Sequence, residues 1–329
     1  MAAPDPTAAR WPGVASKAGH YESFYIKACH PAEPVGAWIR YTIHKPPDAS
    51  PKGSLWFTLF DRSAAAPTAS KVTLPDPQTG GGDWIRIGEA RLGEGSASGS
   101  ASSDAHEVDW ELRFSSDEPP LFHLPRGWMY TAPLPRTKLL SPAPAARFEG
   151  TLRVDGRELA VDGWRGMIGH NWGAEHAERW IWMHGLVDNG GKPAWIDAAL
   201  GRIKLGPWTT PWVGNGALSL DGTRHALGGP GRRVEVKETP EACEFTLPGK
   251  GVRIRGRVGA ERKDFVGWVY ADPDGPEHHT VNCSVADMNL IVERDGQGAR
   301  QLDVVGGAAY ELGMRERDHG VAIQPFPDG

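Results

Sequence analysis

Glycine- and proline-centred turns cut this chain into short apolar runs from end to end, and that punctuation limits what it can become. The 329 residues include 42 Gly and 28 Pro. Each costs a helix interior about 1 and about 3 kcal/mol respectively, so long helices are disfavoured. Sustained 3.6-residue periodicity is hard to find, whereas strand-like runs recur at 21–28, 37–44, 54–60, 107–114, 147–154, 180–187, 194–203 and 280–287, with a separate run at 290–293. Asp155-Gly156, Asn189-Gly190-Gly191, Asp221-Gly222 and Asp274-Gly275 supply turns between them. The pattern predicts an all-β protein with enough strands for two barrels or sandwiches.

The proline-rich stretch 133–144 (PLPRTKLLSPAP) reads as an extended connector. It places a boundary near residue 146, between an N-terminal domain at 1–146 and a C-terminal domain at 147–329. The segment 93–104 (GEGSASGSASSD) has only small alanines to bury and reads as a surface loop.

Charge and cysteine content narrow the function. With 36 basic against 41 acidic residues the net charge is −5, which gives no electrostatic footprint for nucleic acid or an anionic membrane. No run approaches the roughly 18 apolar residues of a membrane helix, and the opening segment lacks the apolar core of a secretory signal, so a cytoplasmic protein is expected. Cys29, Cys243 and Cys283 are too widely spaced for a disulfide framework or a thiolate zinc site.

The aromatic excess has an address. Seven of the 14 tryptophans fall between Trp164 and Trp212, around the segment WRGMIGHNWGAEHAERWIWMHGLVDNGGKPAWIDAALGRI. Its second part reads as a β-hairpin around the loop Asp188-Asn189-Gly190-Gly191, with Trp180 opposite Ala199, Trp182 opposite Asp197 and His184 opposite Trp195. Alternation then puts Glu178, Trp180, Trp182, His184, Trp195 and Asp197 on one face. A carboxyl group among indoles should have a raised pKa unless a cation or N–H donors compensate, and a neutral acid near pH 7 can deliver a proton. His170, Asn171 and Trp172 lie in a Gly-flanked stretch read as a loop at the mouth of the same face. His170 is expected to orient or charge Asp197, and Asn171 to hold water or a carbonyl. Asp197 and His170 are thus the expected catalytic residues, and Asn171, Trp172, His176, Glu178, Trp180, Trp182, His184 and Trp195 the expected substrate-binding set. His170 and His176 have neither HExxH spacing nor cysteine support, so no metal and no cofactor are expected. The strand TVNCSVAD and the pair Tyr310-Glu311 are left without an assigned direction.

With these residues in view, the chain resembles the carotenoid 1,2-hydratase and AttH-like group, a double-lipocalin architecture shared with fungal decalin-forming Diels–Alder cyclases. The resemblance rests on ESFYIKACHP, GAWIRYTIHKP and GSLWFTLFD near the N-terminus and on GHNWG…HAERWIWMHG. It implies two lipocalin-like domains and a His-x-Trp followed by Tyr-x-Asp, whose Asp is the proton donor to a C=C bond. The matching positions are His170, Trp172 and Asp197, with Trp195 standing where the pattern has Tyr. Two functions follow as expectations: a cofactor-independent hydratase or cyclase acting on a polyene- or terpenoid-like molecule, or a carrier of such a ligand without chemistry.

Overall fold

A computed structural model describes residues 4–187 and 194–327. Among them there is no α-helix, only three short 3-10 turns, and nearly all of the chain's regular structure is antiparallel strand. No helix is long and apolar enough to cross a membrane. The all-β expectation is met, and two curled sheets carry it.

The first sheet begins with a meander of His20–Cys29, Val35–Lys45, Lys52–Asp61 and Thr68–Pro75. The sheet then continues on the other side of His20–Cys29, through Arg157–Gly173, Thr137–Val154 and Val108–Ser115. The second sheet repeats this connectivity. Arg179–Val187, Ala194–Arg202, Val213–Leu220 and Thr223–Gly228 meander outward, while Arg300–Met314 pairs with Arg179–Val187 and is followed by Glu277–Arg294 and Val252–Gly259. The two sheets are thus wound by one rule.

Three expectations change. First, the chain passes between sheets after Gly173 and before Arg179, not near residue 146. Pro142 and Pro144 lie inside Thr137–Val154, where register shifts at Leu140/Ala143 and Ala143/Ala146 interrupt the ladder. Proline is tolerated at such irregularities because fewer ladder N–H groups are required there. Second, residues 93–104 are not a loop throughout: Ser96–Ser100 is a strand with Ala97 fully covered. Its small residues are there to fit beneath an indole, since a Cβ on Gly99 would stand 2.7 Å from Trp110 Cζ2. Third, the runs at 280–287 and 290–293 belong to one strand, Glu277–Arg294, because a bulge between Cys283 and Met288 bends it without a turn.

Candidate active site

The hairpin Arg179–Val187/Ala194–Arg202 forms, with a register two residues from the expected one: Trp182 faces Ala199 and His184 faces Asp197. The loop Asp188 to Gly191 lies outside the described residues. A two-residue slip preserves the parity of side chains, so the predicted face survives.

That face meets the first sheet across a cavity of about 390 Å³. From the first sheet Tyr21, Tyr25, Trp38, Arg40 and Asn171 line it, and from the second Trp180, Trp182, Tyr270 and Glu311. His176, from the link between the sheets, borders it as well. Alternation explains the selection. In His20–Cys29, the even positions Phe24, Ile26 and Ala28 fill the first sheet's own core, which turns Tyr21 and Tyr25 toward the second sheet. Glycine makes room for two of the rings. A Cβ on Gly169 would fall 2.0 Å from Tyr25 Cζ, and one on Gly313 would fall 2.2 Å from Trp180 Cε2.

Asp197 points inward, as expected, but lies behind the cavity wall. It is fully buried, its Oδ1 accepts from Trp182 Nε1 at 3.2 Å, and its Oδ2 accepts from Ser141 Oγ at 2.5 Å, with His123 Nε2 at 3.3 Å. Trp182 therefore stands between Asp197 and the open space. The raised pKa expected for this acid is not found. Burial works to raise it, but the charge and hydrogen bond of His123, with His184 and Ser141, hold the carboxyl below the usual carboxylate range.

His170 is elsewhere. The stretch read as a loop is part of the strand Arg157–Gly173, and alternation sends His170 and Asn171 to opposite faces. His170 Nε2 contacts Glu22 Oε1 at 2.8 Å and its Nδ1 contacts the Pro6 carbonyl at 2.9 Å, so it does not reach Asp197. Glu22 also accepts from the backbone N–H groups of Arg10 and Trp11. Burial works against ionisation of Glu22, but His170 and His20 bring it down to about 2. This buried ionic cluster fastens the N-terminal arm to the first sheet.

Of the other expected binding residues, Asn171, His176, Trp180 and Trp182 line the cavity. Trp172 packs with Tyr130 and Leu140, Trp195 with Leu121 and Ala145, and Glu178 sits 3.6 Å from Arg315 Nε. His184 is buried against the Pro144 carbonyl and Lys27, and burial, then Lys27, pushes it down to about 3.

Sequence reasoning missed the groups that give the cavity its chemistry. Asp272 Oδ1 accepts from both the backbone N–H and the ring Nδ1 of His176, each at 2.7 Å. Burial works to raise Asp272, but His176 outweighs it and keeps the carboxyl low. Ionised Asp272 fixes the proton on Nδ1, so Nε2 carries the lone pair, and no side chain among the described residues bonds it. The His176 ring is stacked between Tyr21 and Trp180, with centroids at 3.9 and 5.3 Å. Glu311 takes hydrogen bonds from Trp180 Nε1 at 2.9 Å, Asn282 Nδ2 at 3.1 Å and Tyr270 OH at 3.2 Å. Tyr25 lies edge-on to Trp182, and burial raises its hydroxyl pKa well above the ordinary value, so it stays protonated. The signal for Tyr25 was the alternation in YESFYIKAC; for Asp272 there was none.

His176, Asp272 and His278 are also the one group among the described residues whose ligand atoms lie within 4.8 Å of one another. The His176 Nδ1–H already donates to Asp272 Oδ1, and Arg315 Nη2 lies 3.8 Å from Oδ2. A guanidinium in that position disfavours a divalent cation, so the set fits an Asp–His pair better than a metal centre.

No family model matches the chain. Two sequences from Mycobacterium tuberculosis strains, both uncharacterized proteins, are 27% identical to it over 314 residues, covering 93% of this chain and 89% of each relative. Among solved structures, an AttH-type protein from Nitrosomonas europaea superimposes with a TM-score of 0.56 at 12% identity, covering 96% of this chain and 99% of that one. Kievitone hydratase from Nectria haematococca gives 0.56 at 12% identity over 90% and 89%. CghA bound to Sch210972 gives 0.56 at 11% identity over 90% and 88%. The double-lipocalin architecture implied by the sequence resemblance is therefore the fold of this chain, shared with hydratase and AttH-type structures.

Proposed function

We propose that this chain is an enzyme of hydratase or cyclase type that moves a proton on a small hydrophobic substrate held between its two sheets. The observation that carries the reading is the Asp272–His176 pair, with its imidazole bordering an aromatic-walled cavity. Asp272 fixes the tautomer and stabilises the imidazolium that forms when Nε2 takes a proton, and the same ring returns it. Tyr25, protonated and on the same wall, donates a hydrogen bond to a substrate oxygen. Trp180 and Trp182 bind the apolar body and offer π faces to developing positive charge, each close contact contributing about 1–2 kcal/mol when dry. Asp197 is assigned to positioning Trp182 rather than to proton delivery. The fold shared with kievitone hydratase supports the reaction class, and the substrate follows from the apolar walls only as a class.

Mass spectrometry of polyene, terpenoid and polyketide extracts before and after incubation tests this. A product formed by the wild type and reduced by about 10²–10⁴-fold in His176→Ala supports the reading. Recovery of every bound compound unaltered favours carriage.

A further inference from the structure

The cavity wall contains a buried cation, Arg40, that no carboxylate among the described residues pairs with. Arg40 is 5% exposed, its Nε donates to Ser23 Oγ at 2.9 Å, and its Nη1 has no hydrogen-bond partner. Among the described residues no Asp or Glu forms an ion pair with it. The carboxylates around this part of the cavity are committed elsewhere: Glu22 to His170 and backbone N–H groups, Asp272 to His176, and Glu311 to Trp180, Tyr270 and Asn282. What Arg40 does have is an aromatic box, with its Cζ 4.3 Å from the Tyr270 ring centre, 5.1 Å from Trp56 and 5.2 Å from Trp38.

Taking an ion out of water costs more than π faces return, and an apolar residue of similar volume would fill the same space without that cost. A guanidinium kept under such conditions on the wall of a ligand cavity is suited to an anionic oxygen, which its planar set of N–H donors matches. Arg40 also borders the same small void as His176, of about 20 Å³, together with Tyr21 and Tyr270. An oxygen held by Arg40 therefore lies at the His176 end of the cavity.

We infer that Arg40 is the head-group site of this cavity, and that the substrate is an apolar molecule bearing one acidic oxygen, a carboxylate, enolate or phenolate. The inference rests on the reading of the cavity as a site for a hydrophobic small molecule. It deepens that reading, because an anionic oxygen paired with Arg40 holds the substrate at the end of the cavity where His176 lies.

All-trans-retinoic acid and all-trans-retinol share one polyene and differ in charge, so titration of each at pH 8, followed by tryptophan fluorescence, isolates the head group. Wild-type protein is expected to bind the acid at least tenfold more tightly. In Arg40→Met the preference should vanish while retinol affinity and Tm are maintained, and Arg40→Lys should keep part of it. Equal binding of the two probes by the wild type, or a preference that survives Arg40→Met, overturns the role of Arg40 and leaves the proton-transfer reading untouched. An Arg40→Met protein that loses Tm and both ligands assigns Arg40 to structure and also overturns the inference. Wild-type protein that binds neither probe overturns the cavity reading together with this one.

Discussion

Asp197 and Asp272 are both buried carboxylates beside a histidine, and they differ in what the histidine can reach. His123 is closed in by Ser141, Asn215 and Asp197, whereas His176 borders the cavity. Asp272→Asn is expected to lower turnover by about 10³-fold or more, because the wrong tautomer would place a proton on Nε2. In Asp197→Asn, turnover should stay within about tenfold, while stability falls by about 1–3 kcal/mol through mismatched donors at Ser141 and His123. Chemical denaturation and single-turnover assays separate the two outcomes. The residue types needed for acid–base chemistry were visible in the sequence, and so was the inward direction of Asp197. Its depth was not, because depth depends on Ser141 and His123, 56 and 74 residues away along the chain.

Strand parity was the most transferable information in the sequence. It placed Trp180 and Trp182 on the cavity side even though the hairpin register was displaced, and applied to YESFYIKAC it separates Tyr21 and Tyr25 from Glu22 and Phe24. It failed where strand was taken for loop. Two glycines around His170-Asn171-Trp172 look like loop punctuation, yet Gly169 is a strand residue that leaves space for Tyr25. Gly169→Ala should therefore cost about 1–3 kcal/mol by overpacking and displace the Tyr25 ring. The check is a lowered denaturation midpoint with an unchanged m-value, alongside an altered near-ultraviolet circular dichroism spectrum. Gly313, beneath Trp180, should behave in the same way.

The two sheets share one core. Trp38, Trp56 and Phe60 of the first pack with Trp268, Tyr270 and Val285 of the second, and buried Lys27 donates across to the Gly307 carbonyl. The sheets should therefore unfold in a single transition, seen by calorimetry, and two resolved transitions would contradict this. Acid should weaken the whole assembly. Burial pushes His184 and His278 from their ordinary 6.5 down to about 3, so the unfolded chain protonates these rings while the folded chain does not. Stability is accordingly intact above about pH 6.5 and lost as pH falls toward about 3, and the lowered carboxyls of Asp197, Asp272 and Glu22 add a loss of the same sign at the acid end. A Tm that stays flat between pH 7 and pH 4 would contradict this.

The central claim concerns where a proton goes, and solvent deuterium reports that directly. Apolar extracts incubated with the protein in D2O should yield a compound carrying carbon-bound deuterium, with incorporation abolished in His176→Ala and retained in Asp197→Asn. Products that form without deuterium, or that acquire it equally without His176, would contradict the account.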